Sequence, residues 1–247
     1  MLAAPLFTDT RLEEIHRRLL AHYDRPPVRE VWDPLKQFIY SMLSSRTKTE
    51  ISLEVIRRLE ERFGSWENLR DASIPEIEDA IRAVTFPEPK AINLKTALEE
   101  ITRRCGSLSL EFLKGYRTDK IRLWLERFDG VGVKTSAAVV NFSTLRRRAM
   151  CVDSHHLRVT QRLGFVGRSA DARETESRLM AMAPVKWPPE MLDEHHSLIK
   201  IHGQQLCTKN HPRCVACPLL DLCPAGAGAW EKGVMGAGQA KSTKQGH

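Results

Sequence analysis

Residues 207–223 read CTKNHPRCVACPLLDLC and contain four of the chain's six cysteines. The successive gaps give the spacing C-x6-C-x2-C-x5-C, with Cys207, Cys214, Cys217 and Cys223 as candidate metal ligands. Four thiolates brought together by one loop can hold either a tetrahedral zinc ion or a [4Fe–4S] cluster. Because both groups bind thiolate, the donor type alone does not choose between them.

The compartment bears on how these cysteines are used. The N-terminus lacks a basic stretch followed by an apolar run of signal-peptide length, which predicts a cytoplasmic protein, nucleoid-associated if the source is bacterial. In a reducing compartment, closely spaced cysteines favour metal binding over disulfides. No segment approaches the roughly 20 apolar residues of a membrane span, so we expect no membrane partner.

The net charge of +7 favours association with polyanions, and nucleic acid is the first partner to consider. Charge alone does not decide the matter, because a charged content of 28% is ordinary for a globular protein. We expect the chain to act as a monomer.

Apolar residues recur at three- and four-residue spacing along most of the chain, which predicts an all-α fold. Asp33 followed by Pro34 is typical of a helix start, and the apolar residues after it indicate a buried central helix. Ser73 and Glu76 have the spacing of a capping box. Residues 225–247 are rich in Gly, Ala and Lys without periodicity, so we predict a disordered tail there.

Four stretches of sequence together resemble the endonuclease III-type DNA glycosylases of the helix-hairpin-helix (HhH-GPD) superfamily. The cysteine spacing after HHSLIKIHGQQLC resembles the iron-sulfur loop of that family. FDGVGVKTSAAVV and VDSHHLRVTQRLGF resemble its helix-hairpin-helix and the Gly/Pro-Asp segment, and DPLKQFIYSMLSSRTKTE resembles the helix that leads into its DNA-facing loop. The segments occur in the family's order and cover most of the chain.

The resemblance implies two helical domains that flank a DNA-binding cleft. Residues 30–146 would form a six-helix barrel with the helix-hairpin-helix, and residues 1–29 with 147–224 would form an iron-sulfur domain from both chain ends. It also implies that the cysteines hold a [4Fe–4S] cluster and that the partner is double-stranded DNA carrying damaged bases or abasic sites.

The hairpin sequence DGVGVK suits phosphate binding. Gly130 and Gly132 can adopt backbone angles closed to other residues, so N–H groups from Gly130 to Gly132, including that of Val131, can form an anion-binding nest. Lys134 opens the next helix, where the positive end of the helix dipole favours its neutral, nucleophilic amine. The resemblance implies that this amine attacks C1′ of a damaged nucleotide and that β-elimination then breaks the strand.

Asp153 precedes a helix and is a natural N-cap. The resemblance places the family's catalytic aspartate here, where a fixed carboxylate would stabilise the positive charge that develops on the sugar. The two roles are compatible, because an N-cap uses one carboxylate oxygen.

The loop SSRTK is the candidate wedge that replaces a flipped base. Ser45, Arg46 and Lys48 are its predicted DNA contacts, together with His155 beside Asp153. Many relatives carry a glutamine near position 46 and a proline at position 129, where this chain has Arg46 and Asp129. We expect these differences to alter opposite-base preference and binding strength.

The leading hypothesis is therefore a bifunctional glycosylase and abasic-site lyase that removes oxidised pyrimidines. A monofunctional glycosylase for mismatched or deaminated bases needs Asp153 but no lysine nucleophile. A non-catalytic damage binder would use the hairpin and the cluster, and a zinc-stabilised interaction module would show no visible absorbance.

Overall fold

The computed structural model describes residues 10–231. Its α-helices are α1 (Arg11–Tyr23), α2 (Pro34–Leu43), α3 (Thr49–Phe63), α4 (Trp66–Asp71), α5 (Ile74–Ile81), α6 (Pro87–Cys105), α7 (Thr118–Leu125), α8 (Val133–Phe142), α9 (Ser154–Arg162), α10 (Ala172–Met182), α11 (Pro189–Gln205) and α12 (Pro224–Glu231). Short 3₁₀ helices span Glu111–Gly115, Cys214–Ala216 and Leu220–Leu222. Within the described range, β pairing is limited to an isolated bridge between Trp32 and Ser143, so the predicted all-α fold is confirmed.

Helix ends follow the local signals of the sequence. The Asp33 carboxylate accepts hydrogen bonds from the N–H groups of Leu35 and Lys36, and the capping box of Ser73 with Glu76 is present. Gly64 ends α3 with φ +71°, a left-handed conformation that glycine adopts at little cost. The capping predictions for Asp33 and for Ser73 with Glu76 are confirmed.

The described residues fall into two compact units. The hairpin unit comprises Val28–Cys151 and Trp187–Asp193, and the cysteine unit comprises the residues up to Pro27, Val152–Lys186 and the residues from Glu194 onward. The sequence placed the boundaries after residues 29 and 146 and assigned residues 187–193 to the iron-sulfur domain. In the structure, the corresponding boundaries lie after Pro27 and Cys151, and Trp187–Asp193 belongs to the hairpin unit.

The core of the hairpin unit is built around α2, in which every residue except Lys36 is buried. This helix packs against α8, which is buried from Thr135 to Phe142. The two helices run antiparallel, because Trp32 before α2 pairs with Ser143 after α8. The C-terminus of α2 therefore lies beside the N-terminus of α8, where the candidate nucleophile is found.

The predicted disordered tail is partly wrong, because residues 224–231 form α12. Pro224 occupies the first helical position, where its missing N–H costs nothing, and alanines after it favour helix over coil. Gly226 lies so close to the preceding segment that an added Cβ would meet Leu220 Cδ1 at 2.8 Å. Residues 232–247 of the predicted tail lie outside the described residues.

No helix in the described part of the chain is long and apolar enough to cross a membrane.

Candidate active site

The turn between α7 and α8 depends on one glycine. Gly130 has φ +79°, and an added Cβ would meet Asn93 Nδ2 at 3.0 Å, so a side chain is disfavoured by both backbone strain and contact. The Val131 N–H donates to the Phe128 carbonyl at 3.0 Å, which closes the turn.

At Gly132 and Val131 the structure differs from the anion-binding nest that the sequence predicted. Gly132 is extended, with φ −105° and ψ −172°, so the expectation that it needs a conformation closed to other residues is wrong. The Val131 side chain is buried in the core and its N–H is used by the turn. The donors for an anion are therefore those of the first turn of α8, whose N–H groups have no partner within the helix.

A polar network fixes α7 against α8. Ser136 donates a 2.6 Å hydrogen bond to the Glu126 carboxylate and accepts one of 3.1 Å from Arg122 Nε. Arg122 also donates to the Val133 carbonyl at 3.3 Å. Because these groups are largely removed from water, the network holds the first turn of α8 in one position.

Lys134 is the second residue of α8 and is half-buried. Its Nζ donates a 3.1 Å hydrogen bond to the Ser44 hydroxyl, which in turn donates to the Ser41 carbonyl at 3.2 Å. Ser44 is the C-cap of α2, so the packing of α2 on α8 is what brings the amine and the hydroxyl together.

The loop after Ser44 carries the predicted DNA contacts. Ser45, Arg46 and Lys48 are exposed, and Lys48 is the N-cap of α3. Arg46 has φ +57°, a conformation that costs a non-glycine residue about 1–3 kcal/mol and persists only where the surrounding structure holds it.

Phe86 lies beside the loop of Arg46, although its sequence context did not mark it. Its backbone is also left-handed, with φ +58°, and the residue is 55% exposed. The Arg46 guanidinium lies 5.9 Å from the ring centroid. Thr85 holds the two segments together, since its Oγ1 donates to the Arg46 carbonyl at 2.9 Å. An exposed aromatic ring beside an arginine can both stack on bases and attract phosphate.

Asp153 is the N-cap of α9, as the sequence predicted, and its Oδ1 accepts the His156 N–H at 2.8 Å. Burial raises the pKa of this carboxyl, but the charge of His196, the His156 N–H and the charges of His156 and His155 outweigh burial and lower the pKa to about 2. The carboxylate is thus ionised throughout the neutral range.

His155 is half-buried beside Asp153, and its Nδ1 lies 3.1 Å from Arg158 Nη2. Arg158 donates to the Gly203 carbonyl at 2.7 Å and to the Cys207 carbonyl at 3.0 Å. A Cβ on Gly203 would meet His155 Cβ at 2.8 Å, so this glycine allows α9 to approach α11. Arg158 therefore connects the Asp153 helix to the start of the cysteine loop.

All four cysteines of residues 207–223 line one cavity with a volume of about 70 Å³. Burial and the charges of the other three cysteines together raise the pKa of Cys217 to about 11, although the Leu219 N–H lowers it. N–H donors point at two of the sulfurs, because Arg162 Nη1 lies 3.2 Å from Cys207 Sγ and the Leu219 N–H lies 3.4 Å from Cys217 Sγ.

Arg162 and His202 make polar contacts with the cysteine loop. Arg162 donates to the carbonyls of Thr208 and Lys209 at 2.7 and 3.0 Å. His202 lies between Tyr23 Oη at 3.0 Å and Cys217 Sγ at 3.6 Å, and burial lowers its pKa to about 4. Among the described residues, no group of three or more His, Cys, Asp or Glu side chains is arranged so that it could hold a metal ion.

Residues 39–184 match the HhH-GPD superfamily of base excision DNA repair proteins, and this segment is more than half of the chain. The chain belongs to the HhH-GPD superfamily. The matched segment of this HhH-GPD protein contains Arg46, Lys134 and Asp153 and ends before the cysteine loop.

The relatives of this HhH-GPD protein include an endonuclease III. The enzyme of that name from Sulfolobus acidocaldarius is 29% identical over 185 residues, which cover 74% of this chain and 78% of the relative. The DNA glycosylase/AP lyase ROS1 of Arabidopsis thaliana is 26% identical over 205 residues, which cover 78% of this chain and 14% of ROS1.

A solved structure of endonuclease III, trapped as a covalent intermediate with DNA, has a TM-score of 0.73 to this HhH-GPD protein at 25% identity. The match covers 91% of this chain and 100% of the other. The chain spans 62% of a second Arabidopsis thaliana relative, to which it is 31% identical, and 10% to 15% of several longer plant proteins.

Proposed function

We propose that the protein is a base excision repair DNA glycosylase with abasic-site lyase activity that removes oxidised pyrimidines from duplex DNA. The observation that carries the proposal is the half-buried amine of Lys134, held on the Ser44 hydroxyl at the first turn of α8. Two relatives, an endonuclease III and a DNA glycosylase/AP lyase, support the same class of reaction.

In the proposed reaction, the Lys134 amine attacks C1′ of the damaged nucleotide and forms a C–N bond while the C1′–base bond breaks. The base leaves with the bonding electrons and takes up a proton. The attached nitrogen loses a proton and the C1′–O4′ bond breaks, with O4′ taking up a proton, which gives a ring-opened Schiff base. The Schiff base acidifies the C2′ proton, whose removal expels the 3′ phosphate by β-elimination. Hydrolysis of the Schiff base then returns the free lysine, so the enzyme is regenerated.

Asp153 supports this reaction as a fixed negative charge. Positive charge builds on the sugar as the glycosidic bond breaks, and an ionised carboxylate nearby stabilises it. The lowered pKa of Asp153 means that no proton must be lost before the carboxylate can act. Its hydrogen bond from the His156 N–H keeps the side chain in one rotamer at the start of α9.

The first turn of α8 and the loop with Arg46 are proposed to bind the duplex. The unpaired N–H groups of the helix start bind phosphate without reading sequence. Arg46 and Phe86 form an exposed pair that is suited to fill the gap left by a flipped base, since unstacking costs a few kcal/mol that an inserted side chain offsets.

We further propose that Cys207, Cys214, Cys217 and Cys223 hold a [4Fe–4S] cluster. The spacing of these cysteines resembles the iron-sulfur loop of endonuclease III-type glycosylases, and this resemblance favours a cluster over a zinc ion. The four cysteines line one cavity, so the proposed ligands lie on the same side of the loop. Such a cluster would cross-link the loop to its surroundings and has no step to perform in base excision.

The cluster proposal predicts about four iron atoms and about four inorganic sulfides per chain after anaerobic purification. Cys217→Ser should lower the iron content and the thermal midpoint of unfolding, because it removes one cross-link. Cys105→Ser is the matched control, since Cys105 is a half-exposed thiol in the hairpin unit and its loss should leave iron unchanged. Stoichiometric zinc without iron in wild-type protein would contradict the cluster.

The function is tested with purified protein and duplexes that carry thymine glycol, dihydrouracil, uracil, an A:G mismatch or an abasic site. We expect strand cleavage at the two oxidised pyrimidines and at the abasic site, and a covalent complex when borohydride is present. Base release from uracil or A:G duplexes without any covalent complex would instead identify a monofunctional glycosylase. Binding to abasic DNA without release of any base would identify a damage binder.

A further inference from the structure

Lys90, near the start of α6, uses its ammonium group to hold one loop. Its Nζ lies 2.7 Å from the Leu43 carbonyl, 2.7 Å from the Ser45 carbonyl and 3.2 Å from Thr47 Oγ1. An ammonium has three N–H donors, so these three acceptors can use all of them.

The acceptors of Lys90 surround the partner of the candidate nucleophile. Leu43 is the last residue of α2, where terminal carbonyls lack partners within the helix and a cation is favourable. Leu43 and Ser45 are the two chain neighbours of Ser44, whose hydroxyl accepts the hydrogen bond from Lys134 Nζ. Lys90 therefore fixes the backbone on both sides of the residue that holds the amine.

The hydrogen bonds around Lys90 also reach Arg46 in the candidate wedge loop. Thr47 Oγ1, which Lys90 contacts, also accepts the Thr85 N–H at 3.1 Å, and Thr85 Oγ1 bonds the Arg46 carbonyl. Arg46 is thus held in its left-handed conformation from two sides. Burial, and then the charge of Lys134, lower the pKa of Lys90 to about 8. Lys90 is therefore mostly an ammonium at neutral pH.

We propose that Lys90 is a positioning residue for the reaction, which acts by fixing the loop of residues 43–47 so that Ser44 holds the Lys134 amine and Arg46 faces the duplex. This role rests on the proposed lyase function. Without the Lys90 ammonium, two carbonyls and a hydroxyl lose their common donor, and the Ser44 hydroxyl is no longer fixed where Lys134 can use it.

The test compares Lys90→Met with Lys95→Met in the full chain. Lys95 lies on the same helix and holds another helix end, through hydrogen bonds to the carbonyls of Arg70 and Ala72 at 2.7 and 2.9 Å. We expect Lys90→Met to slow single-turnover borohydride trapping on abasic DNA by about 10- to 100-fold, as displacements near 1 Å do. Lys95→Met should stay close to the wild-type rate, and both variants should bind abasic DNA within a few-fold of wild type.

A double-mutant cycle separates positioning from general loss of structure. If Lys90 acts through Ser44, the Ser44→Ala, Lys90→Met double variant should be about as slow as the slower single variant. Fully multiplicative effects, a wild-type trapping rate in Lys90→Met, or equal losses in Lys90→Met and Lys95→Met would each overturn the proposal. Should Lys90→Met fail to fold, Lys90→Gln is measured in its place, with the same expected loss and the same overturning result.

The two levels of the proposal fail in different ways. Absence of trapping by wild-type protein overturns the lyase function together with the role of Lys90. Trapping by wild type that persists at the same rate in the Lys90 variants overturns the role of Lys90 alone.

Discussion

Lys134→Ala is expected to abolish the borohydride-trapped complex with abasic DNA and strand cleavage at damaged pyrimidines. The reason is chemical, because the Schiff base needs a primary amine, and the other amine beside Lys134, that of Lys90, is held by three acceptors. Loss of a nucleophile of this kind costs several orders of magnitude in rate. The measurement is denaturing electrophoresis of labelled DNA after borohydride treatment, with single-turnover cleavage followed in parallel.

Lys120→Ala is the control for this experiment. Lys120 is an exposed lysine on α7 in the same hairpin, so its removal tests whether the loss of any nearby positive charge lowers trapping. We expect Lys120→Ala to trap at nearly the wild-type rate and Lys134→Ala to bind abasic DNA without forming a covalent bond. Undiminished trapping by Lys134→Ala would assign the Schiff base to another amine and refute the proposed role.

Features of the fold that depend on local signals could be predicted from the sequence. The N-caps at Asp33, Ser73 and Asp153 each satisfy N–H groups of the helix that follows directly, and Gly64 ends the helix directly before it. These interactions join residues only a few positions apart. Both partners of each interaction therefore lie in one short stretch of sequence.

Other features of the site depend on contacts between distant segments, and the sequence does not reveal them. The contacts of Lys90 are with residues 43–47, and nothing near position 90 marks them. The left-handed backbone of Phe86 is unexpected for a phenylalanine and arises where Thr85 bonds the loop of Arg46. Gly132 was predicted to use a backbone conformation that only glycine adopts easily, but its backbone is extended. A glycine in the sequence therefore does not show that the fold needs its conformational freedom.

The proposal that Lys134 and Asp153 act in one reaction came from the resemblance to a family and not from local signals. The superfamily assignment confirmed the class of protein, and the matched segment includes both residues. It does not reach the cysteine loop, so the proposed [4Fe–4S] cluster depends on the resemblance of the cysteine spacing and on the cavity that the four cysteines line.

Asp153→Asn is expected to lower single-turnover base release by about 100- to 1,000-fold, the scale of one lost electrostatic contact to a charged transition state. Asparagine has nearly the same shape, and its side-chain oxygen can still accept the His156 N–H, so α9 keeps its cap. What disappears is the negative charge. The variant is expected to fold, and a lower rate with retained structure would assign the carboxylate to the chemistry.

Asp171→Asn is a closely matched control for the capping role. Asp171 is the N-cap of α10 in the same unit, with φ −89° and ψ −177° against −89° and −178° for Asp153, and it accepts the Glu174 N–H at 2.8 Å. We expect Asp171→Asn to leave base release unchanged. Equal rates in wild type and both variants would reduce Asp153 to a helix cap.

The acid side of the rate profile gives an independent check on Asp153. Because folding lowers the pKa of this carboxyl to about 2, its ionised form stabilises the folded chain above the ordinary carboxyl range, and that contribution is lost as the pH falls through about 2. Base release by the wild type should therefore show no loss due to Asp153 between about pH 5 and 3.5, where an unperturbed aspartate begins to protonate. A wild-type rate that falls with an apparent pKa near 4, in a range where Asp153→Asn shows no change, would mean that the carboxylate titrates normally and is not held ionised by the groups around it.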